Sequence, residues 1–320
     1  MDSFTKAKGR VPVKGTVVFS HPACLDHITP PGHPERVARL DAVGRGLAGL
    51  DVVRMLAPLA AEAEVLRCHP ARYLARVRGA VPKAGFAQLD GDTFLSPGSF
   101  EAAMRAVGGV CAAVDLVLGG GAGNAFVACR PPGHHAEVET AMGFCLFGNV
   151  AIGAKRALDH HGLARVAILD FDVHHGNGTQ DLIWHDARVL FVSSHQMPLY
   201  PGTGAASERG AHDNVVNLPL ALGSGGAEMR VAWQAALARV EAFQPELILI
   251  SAGFDAHAED PLAGLMWREA DFRWITRAIC DVAARVCGGR VVSTLEGGYD
   301  LQALAASVAV HVEVLRECGG

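Results

Sequence analysis

In the segment ILDFDVHHGNG, Asp170, Asp172 and His174 occupy alternate positions where an apolar run gives way to a loop. Side chains two apart on an extended chain point to one face, so Asp172 and His174 can both reach one cation. A second apolar run ends in ISAGFDAH and offers Asp255 at an equivalent height. Two carboxylates and one imidazole leave a coordination position open for water, the layout of a catalytic rather than a structural zinc site. The same donors suit iron(II) or cobalt, so residue types do not choose among Zn2+, Fe2+ and Co2+. A single Asp-x-His at a strand end is an ordinary loop cap. Three carboxylates and several histidines at such ends are harder to read that way, because burying them unpaired is costly.

The segment CRPPGHHAEVETAMGFC sets two prolines and a glycine before the tandem His134 and His135. Such residues make a rigid turn. Hydrolysing an amide at a metal requires a base to take the proton of water and an acid to protonate the leaving amine. Adjacent histidines can supply both functions only if neighbours fix their tautomers, and Asp170 and Asn177 are candidates for that role. Near the C-terminus, STLEGGYDL places Tyr299 after two glycines, where its phenol could donate to an oxyanion formed when water attacks a carbonyl.

The elements that must position these groups are legible as short apolar runs alternating with amphipathic stretches. GTVVFS (15–20), NAFVAC (124–129), RVAILDFD (165–172), RVLFVSS (188–194), ELILISAG (246–253) and RVVSTLEGG (290–298) read as buried strands. Segments 35–49, 99–118, 147–160, 226–243, 269–286 and 300–316 read as helices. The alternation predicts an α/β fold, a mainly parallel sheet with helices on both faces. Residues 1–14 read as an N-terminal tail and 15–320 as one domain. Open sheets of this kind bind ligands beyond the carboxyl ends of their strands, which is where DFDVHHG, SSH, GFDAH and EGGY all fall.

Half of the 320 residues are hydrophobic and 19% are charged, enough for a large dry core and incompatible with a disordered or fibrous chain. A net charge of -5 gives no basic footprint for nucleic acid or an anionic membrane. The opening MDSFTKAKGRVPVKG lacks the apolar stretch of a secretory signal, and no apolar run is long enough to span a bilayer. Eight cysteines without paired spacing fit a reduced, cytoplasmic chain. An oligomer is compatible with this pattern but not specified by it.

The motifs RPPGHHA, GFC, LDFDVHHGNGTQ, SSHQMPLYPGTG, SAGFDAHAEDPLAG and LEGGYD occur in the order found in the histone deacetylase family. With HPACLDHITPPGHPERVARL at the N-terminal side, the chain resembles the class II branch and its bacterial amidohydrolase relatives from about residue 15 to 316. The resemblance implies the arginase/deacetylase fold, a mainly parallel sheet of about eight strands. It implies zinc on Asp172, His174 and Asp255, with His134 and His135 as tandem general base and acid backed by Asp170 and Asn177. Tyr299 would polarise the scissile carbonyl. Gly143, Phe144, Tyr200 and the gate residue Leu262 would line a tunnel for an acyl-lysine side chain, with Asp92 holding the substrate backbone at the rim. Arg36 would lie along an inner channel for acetate, and potassium would sit among Asp170, Asp172, His174, Ser193 and Ser194. Asn177 stands where class I members carry Asp, and Tyr200 where several relatives carry phenylalanine.

Three other readings compete. Binuclear arginase-like chemistry needs metal ligands at the positions of Gly176 and His257, and glycine cannot serve. Acetylpolyamine hydrolysis would use the same metal and histidines, but with an acidic gate where this chain has Leu262. A non-catalytic acyl-lysine binding module would be expected to have lost a ligand, the histidine pair or Tyr299, and all are present.

Overall fold

A computed structural model describes residues 13–319. The expected tail, 1–14, lies outside these residues except for its last two, which open the first strand. The strands are β1 (Val13–Ser20), β2 (Val53–Leu56), β3 (Ala87–Gln88), β4 (Phe94–Leu95), β5 (Ala122–Val127), β6 (Val166–Asp170), β7 (Val189–Gln196), β8 (Val215–Leu220), β9 (Leu247–Ala252) and β10 (Val291–Leu295). The α-helices are α1 (Ala38–Gly46), α2 (Glu62–Val65), α3 (Ala71–Gly79), α4 (Ser99–Leu118), α5 (Asn149–Asp159), α6 (Asn177–Ile183), α7 (Gly226–Phe243), α8 (Glu269–Cys287) and α9 (Leu301–Cys318).

Eight strands form one sheet in the order β2-β1-β5-β10-β9-β6-β7-β8, and every pairing within it is parallel. The short β3 and β4 make a separate antiparallel pair. The sheet's interior strands must be apolar on both faces, since helices cover each side. Along β6, Val166 and Ile168 pack toward α4 and α5, whereas Ala167 and Leu169 pack toward α7, α8 and α9. β6, β7, β9 and β10 are buried along their whole lengths. A third cluster, including Tyr73, Leu74, Val77 and Phe147, joins α3 to α4 beside the sheet.

The six runs expected as strands are β1, β5, β6, β7, β9 and β10, and the longer helices follow the expected segments within a few residues. The order of the sheet has a direct bearing on chemistry. After β5 the chain crosses to β6 and continues outward to β7 and β8, then returns so that β9 and β10 fill the space between β5 and β6. The carboxyl ends of β5, β10, β9 and β6 therefore lie side by side.

Candidate active site

Those four neighbouring strand ends deliver the motifs. β5 leads into the loop carrying His134 and His135, and β6 into Asp172 and His174. β9 leads into Asp255 and β10 into the segment that ends at Tyr299. Asp172, His174 and Asp255 are all buried, and one potential donor atom from each lies within 4.8 Å of the others. His174 Nδ1 is 3.2 Å from Asp172 Oδ1 and 3.2 Å from Asp255 Oδ2. The other contacts hold the carboxylates in place: Val173 N–H donates to Asp255 Oδ1 at 2.9 Å, His174 N–H to Asp172 Oδ1 at 2.9 Å, and Gly297 N–H to Asp172 Oδ2 at 2.8 Å.

This donor set fits a divalent cation on two counts. Two buried carboxylates converge on one imidazole with no lysine or arginine among their hydrogen-bond partners. Glycines also clear the space around them, since a Cβ at Gly253 would fall 2.0 Å from Asp172 Oδ2 and one at Gly297 would fall 2.0 Å from Asp255 Oδ2. Neither Gly176 nor His257 joins the donor set; His257 accepts from Glu259 N–H at 3.1 Å and its ring lies parallel to Phe272. A second triad, Asp115, His160 and His161, lies toward the surface. There the cationic Arg156 clasps both oxygens of Asp115 at 2.7 Å, which disfavours a metal.

The tandem histidines are polarised differently by their surroundings. His134 Nδ1 is 2.9 Å from Asp170 Oδ2, and His135 Nδ1 is 2.7 Å from Asn177 Oδ1. Asn177 in turn donates from Nδ2 to Glu137 at 2.8 Å, which orients its carbonyl oxygen toward His135. Burial opposes the charged form of both rings, yet Asp172 and Asp170 raise His134 well above the usual histidine value. Burial and the adjacent His134 and His174 push His135 well below it. Burial, followed by the charge of Asp255, raises the Tyr299 phenol well above its usual range and keeps it a proton donor.

A cavity of about 240 Å³ is lined by Asp92, His135, Gly143, Phe144, His174, Leu199, Tyr200, Leu262 and Tyr299. It gathers all five residues expected to line a tunnel, together with one expected ligand, one of the two histidines and the tyrosine. Phe144 meets Tyr299 edge to face at 5.9 Å, and Tyr200 meets His135 in the same manner at 5.2 Å. Asp92 accepts from Gly143 N–H at 3.1 Å, and Thr93 Oγ1 accepts from Phe144 N–H at 3.0 Å, so the rim and the wall are tied together. Phe144 itself is held at φ 68°, an uncommon conformation for a residue with a side chain. His134 does not line the cavity; it lies behind His135 with ring centroids 4.0 Å apart and planes tilted by 47°.

Arg36 needs correction. It is exposed, ahead of the first turn of α1, whereas Arg39 is fully buried on the helix face it shares with Ala42 and Val43. The Arg39 guanidinium sits 5.0 Å from the centroid of the Tyr299 ring and donates from Nε to Gly298 O at 2.7 Å. The helical spacing of Arg39, Ala42 and Val43 carries the signal that separates the two arginines of HPERVAR. Leu199, also in the cavity wall, was missed beside Tyr200. So was Asp260, whose carboxylate accepts from Tyr299 N–H at 2.7 Å and from Leu262 N–H at 3.0 Å. Ser193 and Ser194 lie in the second half of β7, with Ser193 paired to Asp170; Ser193 Oγ pairs with His195 Nδ1 at 3.1 Å, while the buried Ser194 hydroxyl has no partner among the described residues.

The histone deacetylase domain model matches residues 33–315. The "Histone deacetylase-like amidohydrolase" of Pseudomonas aeruginosa is 41% identical over 295 residues, covering 90% of this chain and 76% of its own. "Histone deacetylase 14, chloroplastic" of Arabidopsis thaliana is 38% identical over 317 residues, covering 92% and 75%. Among solved structures, the HDA15 HD domain aligns with a TM-score of 0.90 at 34% identity, covering 95% of this chain and 88% of that one. Matching sheet, matching domain and relatives named for amide hydrolysis agree: this chain is an amide hydrolase of the histone deacetylase family, built on the arginase/deacetylase fold.

Proposed function

We propose that the protein is a zinc-dependent deacylase that hydrolyses the amide of an N-acyl-lysine in a peptide or protein. The observation that carries this reading is the buried Asp172, His174 and Asp255 donor set opening onto a narrow cavity shared with His135 and Tyr299. A divalent ion held by those three residues supplies Lewis acidity, which acidifies water and polarises a carbonyl. Iron(II) or cobalt would serve the same donors.

The chain's own residues do the rest. The Nδ1–H of His135 is spent on Asn177 and its ring faces the cavity, so its Nε2 is free to take the proton of the attacking water. The same ring then protonates the leaving amine. His134, behind it and paired with Asp170, is the histidine that carries positive charge and stabilises negative charge developing in front of it. This division assigns both proton transfers to His135, in place of the base-then-acid order expected from sequence. Tyr299 donates its hydroxyl proton in a hydrogen bond to the carbonyl oxygen as that oxygen gains charge. Phe144 and Tyr200 flank the acyl-lysine stem and exclude water, and Asp92 receives the substrate backbone N–H at the rim.

Leu262 in the cavity wall supports an acyl-lysine peptide over an acetylpolyamine, because an apolar gate offers nothing to a second ammonium group. The pairing of Asp170 with Ser193 across β6 and β7 supports a potassium ion in that region, shared by the loop of Asp172 and His174. Eight free cysteines support a reducing compartment such as the cytoplasm, and among the described residues no helix is long and apolar enough to cross a membrane. Zinc-loaded protein assayed against acetyl-lysine peptides, longer acyl-lysine peptides and acetylpolyamines tests the proposal. Turnover highest on an acyl-lysine peptide is the expected result; hydrolysis confined to polyamines would replace the substrate, and no turnover on any acylated amine would remove the reading.

A further inference from the structure

Glu296 is a fully buried carboxylate for which the mechanism above has no use. None of the donors to its carboxylate is a lysine or arginine side chain. Its Oε2 accepts from Gly133 N–H at 2.7 Å and from His134 N–H at 3.2 Å, and its Oε1 meets Ser251 Oγ at 3.2 Å. The sequence explains why one carboxylate takes both amides. Pro131 and Pro132 carry no N–H, so Gly133 and His134 are the first donors in the turn, and neither has a β-strand to satisfy it.

On its other side Glu296 opens the segment that ends at Tyr299. Its own N–H donates to Ala252 O at 2.9 Å, its carbonyl accepts from Arg39, and the next residue, Gly297, donates to Asp172. The carbonyl of His134 is fixed separately by Thr179 N–H at 3.0 Å, and its ring by Asp170. Among the described residues, Glu296 is thus the side chain that fastens the start of the histidine turn directly to the stretch of chain carrying the tyrosine.

We propose that Glu296 is a positioning residue: by bracketing the amides of Gly133 and His134 it sets the distance from the histidine pair to Tyr299. This rests on the deacylase reading for its kinetic consequence, but the bracket itself is independent of it. The carboxylate does not need its charge for the task. Burial raises Glu296 to about 7, and Oε2 can accept two amide protons whether or not Oε1 carries a proton to share with Ser251. Misplacing a catalytic group by about 1 Å can cost about 100-fold in rate, which is the scale of effect expected when the bracket is lost.

The experiment compares Glu296→Gln, which keeps an acceptor for the amides and a donor for Ser251, with Glu296→Ala and Glu296→Met, which keep neither. The zinc-loaded full chain is used throughout, with metal content and folding checked for each variant. The expected result is a kcat about 100-fold lower for the two acceptor-free variants, KM within about threefold, and Glu296→Gln within about threefold of wild type in both. Hydrogen exchange followed by mass spectrometry should show faster exchange of the 130–136 segment in Glu296→Ala and Glu296→Met but not in Glu296→Gln. The proposal is overturned by near wild-type kcat without the acceptor, by equal damage in the Gln variant, or by unchanged exchange in that segment. If neither acceptor-free variant folds, Glu296 is a folding residue and the proposal also fails. Should wild type hydrolyse no acylated amine, the deacylase reading is lost, while the exchange comparison still judges the bracket.

Discussion

Two buried polar clusters lie on either side of Tyr299, and they solve opposite electrostatic problems. In one, Glu35 is clasped by Arg130 through both carboxylate oxygens and by Arg39 at 3.1 Å, with every member buried. Burial penalises Glu35, but Arg130 and then His27 hold its carboxyl well below the usual range. In the other cluster, Asp172 and Asp255 share a single imidazole. The first cluster sets one carboxylate between two guanidiniums whose remaining N–H groups go to the carbonyls of Gly298, Glu296, Cys24 and His27, and it acts as scaffold for α1 and the Tyr299 loop. The second brings two carboxylates together with no lysine or arginine, a surplus that a bound cation would offset. Opposite charges buried together with their donors satisfied read as architecture, and like charges converging without a lysine or arginine read as a binding site.

The widest separation between the clusters should come from removing a ligand. Asp172→Ala or Asp255→Ala is expected to lose bound metal and to lower activity by at least about 1000-fold, yet to remain folded, because each relieves repulsion between the carboxylates. Metal analysis beside circular dichroism checks this; wild-type zinc in either purified variant would end the ligand assignment. Glu35→Gln should do the reverse, costing about 3–5 kcal/mol in denaturant unfolding because it strands buried guanidinium groups. Since Glu35 has a depressed folded-state pKa, its contribution is present above the unfolded carboxyl value and fades as pH falls through the folded one. The cost of Glu35→Gln should therefore shrink in acid, and a pH-independent difference would contradict the pairing.

Tyr299→Phe lies between the clusters and should retain metal while kcat falls about 100-fold with little change in KM, the loss expected for one oxyanion donor. Zinc added to metal-stripped wild type should stabilise it by about 2.7 kcal/mol at a hundredfold excess over Kd and leave Asp172→Ala unmoved. Equal shifts would place the ion elsewhere. The smallest effect is expected at the gate, where Leu262→Glu should tilt the ratio of kcat/KM toward acetylpolyamines by about tenfold, the scale of one modest electrostatic contact.

The sequence made the centre of the molecule legible and its margins poorly so, for a physical reason. β6, β7, β9 and β10 are covered on both faces and therefore appear as unbroken apolar runs that end in chemistry. The edge strands β2 and β8 were not anticipated: β2 reads VRML and is mostly exposed, while β8 carries Asn217 and Pro219. A strand with one neighbour needs neither continuous burial nor every backbone donor. The same distinction governs the site. The candidate ligands and the histidines follow the ends of apolar runs visible in the sequence, whereas Arg39, Asp260 and Leu199 reach the site through tertiary packing. Of these, only Arg39 left a trace, in the helical spacing it shares with Ala42 and Val43.

The late insertion of β9 and β10 between β5 and β6 has a consequence for the protein's synthesis. A nascent chain that has emerged only through β8 holds both histidines, Asp172 and His174, yet lacks Asp255 and Tyr299, and its two innermost strands have open edges. A chain cut short of residue 291 lacks β10 and Tyr299 and presents unpaired strand borders to its neighbours.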